Sequence, residues 1–191
     1  MTTAPEQPDL GDTASGMNYS VAALGQSQPQ MLDHPNPLMS RCIIHEPAIL
    51  PGVRCYADAS TSPDQLSLTP KMAGLGIFFV NTQVQPAQTI YIKAVMTSVD
   101  SVLMAEAAAL ALAATVNDRL NFNNTSFLSD CQQLLQFFNA ADHSNPPDRK
   151  IKFFTQLFVN HSQSRGSHIY KISRTLNRTA YSLAKQAYTL S

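Results

Sequence analysis

Residues 52–191 predict an α/β domain whose mixed five-stranded sheet has three antiparallel strands followed by parallel ones and is flanked by helices. Three observations carry this prediction. Three β-type runs open the segment, an Ala/Leu-rich helix follows them directly, and short β and helical stretches then alternate to the end.

The elements follow in order. Val53–Ala59 is a short apolar run, and Ala73–Val80 (AGLGIFFV) and Thr89–Val95 (TIYIKAV) carry the branched and aromatic residues that suit a pleated surface. Pro63, Asp64 and Pro70 break the first gap and Pro86 the second, so both read as hairpin-type connections in a β-meander. Val102–Val116 (VLMAEAAALALAATV) holds neither Gly nor Pro and follows Asp100 and Ser101, which are first-turn and cap candidates. Thr125–Leu128 reads as a fourth strand, 130–139 as a helix and 143–147 as a polar break. A helix over 150–159, a strand over 168–172 and a helix over 176–188 complete the order βββαβααβα. Gly74 and Gly76 lie inside a strand pattern with no helix after them, which points to close backbone packing and not to a phosphate loop. The phenylalanines at 137, 138, 153, 154 and 158 read as core.

Residues 1–51 have a different texture. Seven of the twelve prolines fall there among Gln, Ser, Thr and Asn, as in a disordered leader or linker. The first twenty residues hold Glu6, Asp9 and Asp12 with no Lys or Arg, which excludes an ordinary secretory signal. No apolar run approaches the ~20 residues of a membrane span, so no membrane partner is expected. Three cysteines, at 42, 55 and 131, form no C-x-x-C pair and support neither a disulfide framework nor structural zinc. A reducing, intracellular setting follows, nuclear or cytoplasmic.

The zero net charge conceals an asymmetry: residues 1–148 carry all thirteen acids and a balance of −8, whereas residues 149–191 carry no acid and a balance of +8. A basic face of this kind attracts phosphate backbones, and it also suits a solvated helix surface.

Three carboxylates are the candidate site. On the long helix, Leu103, Glu106, Ala107 and Leu110 share one face, so Glu106 stands in the stripe that should meet the core. A buried carboxylate must shift its pKa or gain a cation. A rotation of the Ala-rich helix that turns Glu106 to water is the alternative. Asp58 and Asp130 each end a β run, and parallel pairing of those strands places both acids at one edge of the sheet. Three oxygen-rich side chains meeting there suit Mg2+ or Mn2+. For Asp130, capping of the helix that follows is an equal reading.

The stretches Cys55-Tyr56-Ala57-Asp58-Ala59-Ser60, Ala73-Gly74-Leu75-Gly76, Ala105-Glu106-Ala107, Leu128-Ser129-Asp130-Cys131-Gln132 and Arg174-x-x-Asn177-x-x-Ala180, in this order, resemble the ribonuclease H-like domains of plant retroelements and their domesticated relatives. The resemblance covers about residues 53–188. It implies metal-dependent hydrolysis of the RNA strand of RNA/DNA hybrids, with two ions on Asp58, Glu106 and Asp130 as catalytic and metal-binding residues. Ser60, Gln132, Arg174, Asn177 and Arg178 are the nucleic-acid contacts it implies. An upstream reverse transcriptase part of the same polyprotein is a partner it suggests. The family's pattern continues with an Asp where this chain has Tyr181, and no Asp or Glu follows Asp148. Two functions remain open: a metal-dependent hybrid endonuclease, and a catalytically impaired nucleic-acid-binding module. A flavodoxin-like enzyme is disfavoured by the opening meander.

Overall fold

The structure, a computed structural model, describes residues 19–22, 26–27, 43–61, 71–140 and 145–187. Most of the expected leader, the first hairpin loop, part of the polar break before residue 145 and Tyr188 lie outside the described residues.

The expected meander forms from β4 (Val53–Thr61), β5 (Ala73–Asn81) and β6 (Ala87–Met96), antiparallel throughout. The strand β7 (Ser126–Ser129) then runs parallel to β4, and β8 (His168–Ile172) parallel to β7. These are the five strands read from the sequence. Three short ones extend them: β1 (Tyr19–Ala22) and β2 (Gln26–Ser27) pair with β6, and β3 (Ile43–Ile44) pairs with β8, giving the order β1-β6-β5-β4-β7-β8-β3. The sheet therefore has eight strands. Packing begins before residue 52, because Ile44 and Leu50 are buried with Leu128, Tyr170 and Ile172 in a small second core. Pairings of only two to four residues leave no periodicity to read.

Helix α1 (Val102–Arg119) is capped by Ser101, whose Oγ accepts from the Met104 N–H at 3.1 Å. Residues 107–114 are buried without interruption. Alanine on every side of the helix lets it lie between β4 and β5 on one flank and α3 (Lys152–Gln163) on the other. Its far end is tied to α3 by Asp118, which accepts from Arg165 Nε at 2.7 Å and lies 3.0 Å from His161 Nδ1. Of the five phenylalanines expected in the core, Phe137, Phe154 and Phe158 are buried and Phe138 packs against it, whereas Phe153 is 64% exposed. Phe153 stands in the first turn of α3, its ring edge-on to that of Phe154 with centroids 5.4 Å apart.

The opposite face of the sheet carries α4 (Arg178–Ala187), which lies across β4, β5 and β6. Asp58 pairs with Gly76 and Ser60 with Gly74, so these four residues share that face. A Cβ on Gly74 would lie 1.9 Å from the Ala184 carbonyl oxygen, and one on Gly76 would lie 2.0 Å from that of Ala180. The two glycines thus let the helix backbone rest on the strand. Close backbone packing was the expectation for this pair, and it sets the depth of everything α4 carries.

Candidate active site

The sequence-predicted acids come from three elements. Asp58 projects from β4 and is only 4% exposed. Glu106 lies one turn into α1 and is half-buried, so the helix is rotated inward at this point. Asp130 follows β7, whose parallel pairing with β4 runs to Tyr56 and Leu128 and so brings Asp130 beside Asp58. Asp58 lies inside β4 and not at the end of its strand as expected, because pairing with β5 carries β4 on to Thr61.

Asp58 and Glu106 touch, their carboxyl groups sharing a hydrogen bond with the Ala59 N–H beside both. Burial, and then the nearby charge of Asp130, push Asp58 up to about 7. Burial, followed by the charges of Asp58 and Asp130, raises Glu106 well above the usual carboxylate range. Two carboxyls in such contact hold a proton between them unless a cation is present.

Asp130 is joined to this pair by Asn177. The Asn177 Nδ2 donates to Asp58 Oδ2 at 3.0 Å and lies 3.1 Å from Asp130 Oδ1 and 3.0 Å from the Ala57 carbonyl. The second oxygen of Asp130 accepts from Arg174 Nε at 3.0 Å. The capping reading of Asp130 falls away, because α2 (Gln132–Phe138) has Cys131 at its N-cap and the oxygens of Asp130 are turned to Asn177 and Arg174.

The expected nucleic-acid contacts divide. Ser60 is half-buried near the end of β4, and Gln132 opens α2 with its Oε1 accepting from Lys171 Nζ. Arg174 and Arg178 are exposed, and the Arg174 side chain is 87% so. Asn177 is fully buried, which removes it from the expected contacts and makes it a positioning residue. Sequence reasoning could not find this role, since its carboxylate partners lie 119 and 47 residues away. Lys171 was also missed. Only the pairing of Ser129 with Lys171 reveals that β8 ends beside Asp130. Tyr181 is 39% exposed on α4, with Lys185 Nζ 4.9 Å from its ring centroid.

Among the described residues no group of three or more His, Cys, Asp or Glu side chains is arranged to hold a metal ion. The Asp58–Glu106 pair nevertheless fits a hard divalent cation. Mg2+ takes one or two carboxylates and completes its shell with water and phosphate, and a cation relieves the repulsion and desolvation that now raise both acids.

Asn177→Ala is expected to destabilise the chain by about 1–3 kcal/mol, because it strips donors from two buried or half-buried carboxylates and a carbonyl. Thermal melting followed by circular dichroism checks this, and a loss below about 0.5 kcal/mol would show that the bridge is dispensable.

A mixed sheet with three antiparallel strands, parallel strands after them, helices on both faces and acids just past the parallel pairing of β4 and β7 defines a ribonuclease H-like domain. The chain belongs to the reverse transcriptase-like family, whose model matches residues 70–187. No curated protein matches it. Among solved structures it is similar to ribonuclease H1 from the halophilic archaeon Halobacterium salinarum NRC-1, at 20% identity over 73% of this chain and 98% of that one, with a TM-score of 0.52. It is also similar to the N-terminal RNase H domain of a Mycobacterium tuberculosis protein, at 16% identity over 72% and 94%, TM-score 0.56. A third, LC11-RNase H1 in complex with an RNA/DNA hybrid, matches at 17% identity over 73% and 99%, TM-score 0.50. Likeness at these identities establishes the fold.

Proposed function

We propose that the chain is a nucleic-acid-binding ribonuclease H-type domain that hydrolyses the RNA strand of RNA/DNA hybrids with a divalent metal, Mg2+ or Mn2+. The observation that carries this reading is the contact between buried Asp58 and half-buried Glu106, with Asp130 fixed beside them by Asn177. A bound divalent ion supplies Lewis-acid stabilisation of the phosphoryl oxygens and a more acidic water. The chain's own residues do the rest. Asp58 and Glu106 would hold the ion, Asn177 keeps Asp58 and Asp130 in register, and Lys171, Arg174 and Arg178 would offer cations to the phosphate backbone. Gln132 and Ser60 would make the 2′-hydroxyl contacts that distinguish RNA from DNA. A retroelement origin, as in the plant reverse-transcriptase-associated domains that the motifs resemble, agrees with the family match.

A second reading is favoured by one residue. Tyr181 stands where the resemblance expects a further carboxylate, and a neutral phenol is a poor ligand for a hard ion. This supports a binding module with impaired turnover.

The test uses an end-labelled RNA/DNA hybrid with the full chain and Mg2+ or Mn2+. RNA fragments that form with wild type and vanish with EDTA support the nuclease. No fragments from wild type, fragments from Tyr181→Asp, and salt-sensitive hybrid retention by both proteins would assign the native chain to the binding class.

A further inference from the structure

We infer that the pocket takes a single divalent cation, seated on Asp58 and Glu106, and that the Arg174 guanidinium provides the second positive charge, at Asp130. This rests on the metal-dependent reading above and specifies the number of ions.

Charge comes first. Asp58, Glu106 and Asp130 are the acids of the pocket, and Arg174 is in hydrogen-bond contact with Asp130. Three carboxylates and one guanidinium leave −2, which one divalent ion balances. A second ion would leave the pocket with an excess of +2 in a partly buried site, where uncompensated charge is costly. Among the described residues no further carboxylate acts on the pair, and no Asp or Glu follows Asp148 to place one on β8 or α4.

Geometry points the same way. An ion bridging Asp58 and Asp130 has to enter between Asp58 Oδ2 and Asp130 Oδ1, and Asn177 Nδ2 is already there, within 3.0 Å and 3.1 Å of the two oxygens. Asn177 is fully buried beneath α4 and cannot swing into solvent. Its own Oδ1 is buried without a hydrogen-bond partner, an acceptor of the kind an ordered water satisfies. The outer oxygen of Asp130 is held by Arg174. The Asp58–Glu106 contact has no side-chain amide or guanidinium between its carboxylates, only the backbone N–H of Ala59 beside both, so it is the place left for an ion.

The experiment counts ions. The full chain, stripped of metal, is titrated with Mn2+ and the free ion is followed by its electron paramagnetic resonance signal. Wild type is expected to bind one Mn2+, Asp130→Asn to keep that ion within about threefold of the wild-type affinity, and Asp58→Asn to lose it. Both Arg174 and Tyr181 are exposed, so the double variant Arg174→Gln/Tyr181→Asp should fold, and with the guanidinium removed and an acid at the position where the resemblance expects one it is expected to bind two. Two ions on wild type, loss of the ion in Asp130→Asn, or a single ion on the double variant each overturn the inference while the metal pocket stands. No ion on wild type removes the metal pocket itself.

Discussion

Asp58→Asn is expected to abolish hybrid cleavage and, in EDTA at mildly alkaline pH, to melt above wild type. The loss of activity is put at about 10²–10³-fold or more, the scale seen when one preorganised charge-stabilising group is removed. The gain in stability follows from linkage. The folded-state pKa of Asp58 is raised to about 7 from the ordinary 3.8, so below about pH 4 the carboxyl is protonated in folded and unfolded chains alike. As pH climbs from about 4 to about 7 the unfolded chain releases this proton and the folded one keeps it. Stability contributed by the group is thus fully present at the acid end of that window and lost at its alkaline end. A shift of this size corresponds to roughly 4 kcal/mol, since each unit is worth about 1.4 kcal/mol.

Asparagine removes this titration. It also turns an amide N–H toward either the Ala59 N–H or Asn177 Nδ2, sacrificing one hydrogen bond worth about 1 kcal/mol. The net gain at alkaline pH is therefore about 1–3 kcal/mol, or roughly 2–10 °C in Tm for a chain of this size. The difference between variant and wild type should shrink toward zero, or reverse, near pH 4. Excess Mg2+ should raise the Tm of wild type but not of the variant, because only an ion that binds the folded state stabilises it. A variant that melts below wild type across the whole range would show that Asp58 is a structural carboxylate, held by its donors and not strained by its neighbours.

The parts legible in the chain were those with local causes. The meander and α1 could be read because β4, β5 and β6 are nine or ten residues long and α1 is eighteen residues without Gly or Pro. Ends were less distinct. The helix expected from residue 130 begins at Gln132, since Asp130 is drawn away by Asn177 and Arg174, and the helix expected to stop at residue 159 runs to Gln163. Strand β3 escaped because Ile43–Ile44 pairs with Lys171 and Ile172, far along the chain. At the site, Asp130 after a strand and Glu106 on a helix stripe were visible in sequence, whereas Asp58, read as the end of its β run, lies inside β4. The linkage of the three was not visible. Asn177 shows only as a polar residue just before a helix, and its bridge exists because α4 lies directly on β5.

That dependence makes Gly76 the residue on which fold and site meet, and Gly76→Ala is expected to impair both. The added methyl would sit 2.0 Å from the Ala180 carbonyl oxygen and 2.5 Å from the Ala184 nitrogen. These are backbone atoms of a helix, which cannot rotate away as a side chain can. The helix must lift from the sheet. Overpacking of this kind costs about 1–3 kcal/mol and sometimes more, and the upper end is expected here because α4 also buries Ala180, Leu183, Ala184 and Ala187. A fall in Tm of roughly 6–12 °C follows for a loss of about 3 kcal/mol. The lift also carries Asn177 away from Asp58, Asp130 and the Ala57 carbonyl, each now about one hydrogen bond away. Molecules that remain folded at low temperature should therefore bind Mn2+ and cleave the hybrid less well, although Gly76 contributes no side chain to the pocket. If Gly76→Ala retained both wild-type stability and wild-type Mn2+ affinity, the close seating of α4 on β5 would not be what positions the acids.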